Sequence, residues 1–135
     1  MRKILAAFFL AILVAIPASQ ALAIGMCGSA KRVTRVVDGD TIWLNGEKIR
    51  LQGYDTPETT TGFCGGASEK ALGKKAASRL MELLNTNSAT IERTGKDRYG
   101  RTLAIIRIDG RNIGDILVAE GLARYWPDGR EFWCN

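Results

Sequence analysis

Two Asx-Gly pairs, Asp38-Gly39 and Asn45-Gly46, divide the stretch from Lys31 to Gln52 into three short segments, and the residues between them restrict what those segments can become. Val33, Val36, Ile42, Leu44, Ile49 and Leu51 are mostly branched at the β-carbon, which suits a pleated strand better than a helix. Asn-Gly reaches the positive φ values that a two-residue hairpin demands, so Asn45-Gly46 marks a tight turn and Asp38-Gly39 marks the turn before it. Three short strands are predicted.

The pattern then changes. Residues from Tyr54 to Gly66 are rich in Thr, Gly and Pro and read as a loop. From Ala67 to Asn85, Leu72, Ala76, Leu80, Leu83 and Leu84 recur at helical spacing, while Lys70, Lys74, Lys75 and Arg79 occupy the other faces. A strand is predicted from Ala89 to Arg93 and another from Thr102 to Ile108, ending at Asp109-Gly110. Asn112 can cap a last helix running to about Glu120, with Ile113, Ile116 and Leu117 turned inward. The order β-β-β-α-β-β-α is α+β, and five short strands with a helix after the third make an oligonucleotide-binding-type barrel. No internal repeat or low-complexity linker divides it.

The amino terminus follows a different logic. Arg2 and Lys3 precede an apolar run from Ile4 to Ile16, and Ala21-Leu22-Ala23 offers small residues where a signal peptidase reads. Residues 1–23 are expected to be a signal peptide and 24–135 the working domain, placed in the periplasm or the medium. A retained anchor is the alternative, but the run is shorter than the roughly 20 residues that span a bilayer, so no stable membrane association is expected after cleavage. The formal net charge of +5 includes Arg2 and Lys3. The surplus left to the domain permits a polyanionic partner without demanding one. Cys27, Cys64 and Cys134 in an oxidising compartment favour one disulfide with one cysteine over, and Cys64 with Cys134 is the expected pair.

The chain has no histidine. That excludes Ser-His-Asp and Cys-His catalysis, histidine zinc sites and a histidine general base. Hydrolytic chemistry here has to run on carboxylates, arginine or lysine, hydroxyls, cysteine and hard metal ions.

Such residues fall in four places: Asp38-Gly39-Asp40-Thr41, Arg50, Asp55-Thr56-Pro57-Glu58, and Asp97-Arg98-Tyr99-Gly100-Arg101. Each alone has an ordinary reading as a turn, a helix start, an exposed strand residue or a hairpin tip. Together, in this order and with this spacing of Arg50, Asp55 and Glu58, they resemble the thermonuclease family, the staphylococcal-nuclease-like enzymes, from about Val33 to Arg124. The resemblance implies that Asp40, Asp55 and the Thr56 carbonyl hold a metal ion, that Glu58 is the general base, and that Arg50 and Arg101 grip the phosphate. It also implies calcium dependence, cleavage of both DNA and RNA, and 3′-phosphate ends.

The chemistry of the residues points the same way. Phosphodiester hydrolysis builds negative charge on oxygen, which needs cations already in place. Guanidinium donates two parallel hydrogen bonds, so lysine is no equal substitute. Carboxylates and a carbonyl form an all-oxygen site suited to calcium, magnesium or manganese rather than zinc or copper. Lys96 and Arg98 could hold neighbouring phosphates or be solvated loop charges, and Tyr99 could pack on a nucleoside. Tyr125 and Trp126 are expected to pack in the core, with base stacking as the alternative use.

The sequence departs from the family pattern in two places. Thr59, Thr60, Thr61 and Gly62 stand where lysines are common, and residues after Leu122 are too few, and interrupted by Pro127 and Gly129, for the long C-terminal helix of the best-known members. A Cys64 to Cys134 bridge would tie this short tail to the loop beside Glu58. The expectation is an enzyme with nucleic acid as substrate and no obligate protein partner. A noncatalytic nucleic-acid or protein binding module of the same fold is the alternative, distinguished by loss of the carboxylates or arginines that are all present here.

Overall fold

In the computed structural model, residues 21–26 and 34–134 are described. Most of the expected signal peptide, together with Lys31, Val33 and Cys27, lies outside them. In chain order the elements are β1 (Gly25–Met26), β2 (Arg35–Asp38), β3 (Thr41–Leu44), β4 (Glu47–Leu51), β5 (Tyr54–Asp55) and α1 (Gly66–Thr86). They continue with β6 (Ala89–Lys96), β7 (Thr102–Ile108), β8 (Arg111–Asn112), α2 (Ile113–Ala119) and β9 (Arg124–Tyr125).

The turn chemistry behaves as the sequence requires. Asn45 and Gly46 adopt φ of 49° and 82°, the pair of positive values that closes β3 onto β4. Asp109 and Gly110, at 50° and 76°, do the same between β7 and β8. The main sheet runs β1-β2-β3-β4-β7-β6, with β8 also on β7. Its pivotal contact is the parallel pairing of β4 with β7, Ile49 with Thr102 through Leu51 with Ala104, which joins β1–β4 to β6–β8 across the intervening helix. This is the oligonucleotide-binding-type barrel with two helices. Among the described residues no pairing joins β1 to β6.

The core lies between the sheet and the helices. Val36, Ile42, Ile49, Leu51, Ala104 and Ile106 meet Leu80 and Leu84 of α1 and Ile113 and Leu117 of α2, all buried. Each of the Val, Ile and Leu side chains among them stabilises the fold by about 1.5–3 kcal/mol relative to exposure. Because strand residues alternate between faces, burial of Ile49 and Leu51 turns Arg50 away from this core. Asn112 caps α2 as expected, its side chain accepting the Gly114 N–H at 2.8 Å.

Three features differ from the sequence reading. The segment expected to be wholly loop begins with β5, whose Tyr54 and Asp55 pair with Tyr125 and Arg124 of β9. Two-residue ladders leave no periodicity to read. The buried stripe of α1 starts with Glu69 and Gly73 in place of Leu72, which is only half-buried. Tyr125 and Trp126, expected in the core, are 50% and 56% exposed. They sit on an edge ladder at the rim of the barrel, and the interior aromatic of this tail is Trp133, 7% exposed.

Candidate active site

The acidic side of the site is assembled by close backbone approach. Gly39 has no side chain to hold it off Thr56: a Cβ there would lie 2.6 Å from Thr56 Cγ2 and 2.9 Å from the Ala76 Cβ. The Asp38-Gly39 turn thus presses the next residue, Asp40, against the loop after β5. The Tyr54 hydroxyl fixes that approach by donating to the Gly39 carbonyl at 2.8 Å. Asp40 is buried, and its Oδ2 accepts the Thr56 N–H at 3.0 Å and the Thr56 hydroxyl at 3.3 Å.

Arg50 joins the two carboxylates among the metal-site candidates. Its Nη2 lies 3.2 Å from Asp40 Oδ2 and 3.6 Å from Asp55 Oδ1, and also donates to the Tyr54 carbonyl at 3.1 Å, while Nη1 donates to the Leu51 carbonyl. Asp55 is held from its other side by Arg124, whose Nη2 and Nε lie 2.9 and 3.0 Å from Oδ2. Arg124 in turn donates to the Gly129 carbonyl at 3.0 Å and stacks over the rings of Trp126 and Trp133. Sequence reading missed Arg124, because only the β5–β9 pairing brings it beside Asp55.

The electrostatics follow from this crowding. Burial first, then the charge of Asp38, pushes the Asp40 carboxyl up to about 7, against the pull of Arg50. The Asp55 carboxyl is also raised, chiefly by burial, although Arg124 pulls it down. The Glu58 carboxyl is raised by burial and then by repulsion from Asp40, Asp55 and Glu69, with Arg50 opposing. Asp40, Asp55 and Glu58 are thus three carboxyl groups held above their ordinary range, burial first in each and the charge of Asp40 acting on the other two, a hard-oxygen donor set of the kind a calcium-like cation satisfies. The candidate ligands Asp40, Asp55 and Thr56 therefore fit such an ion. Among the described residues, the carboxylate and thiol cluster whose ligand atoms lie within 4.8 Å of one another is a different one, Cys64, Glu131 and Cys134. There the two sulfurs are joined in the expected disulfide and are not free to ligate.

Beside the acidic corner opens a cavity of about 430 Å³, lined by Arg50, Asp97, Arg98, Tyr99, Arg101 and Trp126 together with residues 51–54 and Leu103. Asp97 shapes the hairpin tip: Oδ1 accepts the N–H groups of Tyr99 and Arg101 at 2.9 Å, and Oδ2 pairs with Arg101 Nε at 2.7 Å. Arg98 lies over the Tyr99 ring, 4.8 Å from its centroid, and donates to its hydroxyl at 2.6 Å. Arg50 and Arg101, far apart in sequence, thus face one cavity. Lys96 does not line it, its amine lying 3.4 Å from the Thr102 hydroxyl. Trp126, expected in the core, lines the cavity instead.

The family model described as staphylococcal nuclease homologue matches residues 48–131. An endonuclease of Bacillus subtilis, YncB, is 37% identical over 97 residues, 67% of this chain and 44% of that protein. The prophage-derived endonuclease YokF of the same organism is 36% identical over 97 residues, 67% of this chain and 32% of its own length. A thermonuclease of Staphylococcus intermedius is 37% identical over 113 residues, 78% of this chain and 66% of its own. The chain spans between about a third and two thirds of the length of these relatives.

Proposed function

Because the chain belongs to the staphylococcal nuclease homologue family, we propose that it is a metal-dependent nuclease that hydrolyses phosphodiester bonds of DNA and RNA. The observation that carries this reading is the double placement of Arg50, which bridges Asp40 and Asp55 and lines the cavity shared with Arg101. A phosphate in that cavity meets two guanidinium groups at the edge of the carboxylate cluster. The preferred ion is calcium, with magnesium or manganese as chemically similar occupants, and the site of action is the periplasm or medium, reached by cleavage after Ala23.

In this reading Asp40, Asp55 and the Thr56 carbonyl hold the ion. Bound there, it supplies the positive charge that stabilises the phosphorane-like oxygens and favours ionisation of a nearby water. Glu58 takes the proton of the attacking water, and its raised pKa brings it closer to working pH than an ordinary glutamate. The water oxygen bonds to phosphorus as the bond to the 5′ oxygen breaks, and the released 5′ oxygen takes a proton from solvent water, leaving a 3′-phosphate and a 5′-hydroxyl. Arg50 and Arg101 donate hydrogen bonds to the phosphate oxygens as their charge grows.

Digestion of single-stranded DNA and of RNA by the domain from Ile24 onward, in calcium, magnesium or chelator, tests this reading. Cleavage of both substrates in calcium, absent in chelator and reduced about a hundred- to a thousandfold in folded Glu58→Gln, is expected. No cleavage by folded, calcium-supplied wild type would reject it in favour of a binding module.

A further inference from the structure

Helix α1 meets the segment that carries Glu58 through two residues the apolar pattern passes over. Glu69 is 2% exposed, at a position where the buried stripe calls for an apolar side chain. Its two oxygens are divided between two backbone amides: Oε1 accepts the Glu58 N–H at 3.2 Å, and Oε2 accepts the Gly65 N–H at 2.9 Å. One carboxylate therefore closes both ends of the segment 58–65, whose middle residues, 60–64, are exposed. Among the described residues Glu69 makes no salt bridge, so its partners are these main-chain donors and not an ordinary ion pair.

One helical turn later the backbone of α1 touches the same peptide. A Cβ on Gly73 would lie 2.2 Å from the Glu58 carbonyl oxygen and 2.6 Å from that of Pro57. The far end of the segment is fastened by the Cys64–Cys134 disulfide, with the Cys64 sulfur 3.6 Å from Glu69 Oε2. The carboxylate suits its place because it is an acceptor at both oxygens and faces two donors. A glutamine would turn one NH₂ donor against one of the two N–H groups.

We propose that Glu69 is a positioning residue for Glu58, holding the main chain on which the general base is carried so that its carboxyl stays at the phosphate. The proposal rests on the nuclease reading above. Its geometry concerns only the order of the 58–65 segment, not the grip on substrate or the ion. Loss of the clamp should therefore cost turnover while leaving binding intact, since displacement of a reacting group by about 1 Å can cost about a hundredfold.

The test compares wild type, Glu69→Gln, Glu58→Gln and the double variant in calcium on a single-stranded DNA oligonucleotide. Glu69→Gln is expected to lower kcat about ten- to a hundredfold with KM near wild type, and the double variant to be no slower than Glu58→Gln alone. Hydrogen exchange should quicken at the Glu58 and Gly65 amides of Glu69→Gln while amides of β7 keep their protection. A folded Glu69→Gln with wild-type kcat, or a double variant in which the two losses multiply in full, overturns the proposal. Should Glu69→Gln fail to fold, Glu69→Asp, shorter by one methylene, carries the same reading: lower kcat at unchanged KM supports the role and wild-type kcat overturns it. A wild-type protein that cleaves nothing overturns the nuclease reading and this role together. Active wild type beside a fully active Glu69→Gln overturns this role alone.

Discussion

The acidic corner and the hairpin tip meet at one cavity, which Arg50 of the corner lines beside Arg98, Tyr99 and Arg101 of the tip, but they are built differently. In the corner, Asp40, Arg50, Asp55 and Thr56 are tied to each other and to β4, β5 and β9, so every charged group there also holds parts of the fold together. At the tip, Arg101 is tied to Asp97 and Arg98 to Tyr99, bonds that span only a few residues of one turn. Corner residues should therefore show two faults when replaced, in stability and in turnover. Tip residues should show only the second.

The largest contrast is expected between the two arginines. Arg50→Ala leaves Asp40 without its buried partner, and such a break typically costs about 3 kcal/mol or more. Arg101→Ala removes a surface pair confined to one turn, and pairs of that kind contribute little to stability. Both should lose about a hundred- to a thousandfold in turnover. Urea unfolding beside kinetics would decide the matter, and equal destabilisation by the two replacements would erase the distinction.

A smaller effect concerns pH in chelator. The Asp40 carboxyl, raised to about 7 when folded, keeps its proton in the native state where the unfolded chain has released it. Its contribution is thus fully present below about 4 and is lost as pH rises through about 7. Metal-free wild type should become less stable across that window, and Asp40→Asn should flatten the profile. A variant that tracks wild type would place the titration elsewhere. The smallest effects belong to the tip's outer residues: Arg98→Ala and Tyr99→Ala should raise KM a few-fold and change stability by less than about 0.5 kcal/mol. Loss of stability from either would show that the tip is not independent of the fold.

How much of this was legible in the sequence depended on distance along the chain. Asn45-Gly46, Asp109-Gly110 and the Asn112 cap could be read because turn and cap chemistry is local. The nearness of Arg50 and Asp55 could be read because they sit close together in a recognisable order. Arg124 could not, since it reaches Asp55 across 69 residues through a two-residue ladder. Glu69 escaped for a related reason: a charged residue on an amphipathic helix reads as surface until the two amides it accepts are brought to it. Tyr125 and Trp126 were assigned to the core by their apolar area, but the edge position of β9 leaves them outside and gives the interior to Trp133. The Cys64–Cys134 pairing was legible because the missing C-terminal helix left the tail in need of an anchor.

The account turns on the claim that the buried corner is a cation centre and not merely a cluster of structural carboxylates. Calorimetric titration of calcium into the chelator-treated wild-type domain and into Asp40→Asn tests it directly. One calcium bound per chain by wild type, with affinity lost in the folded variant, is the predicted result. No binding by wild type, or equal binding by Asp40→Asn, would contradict it.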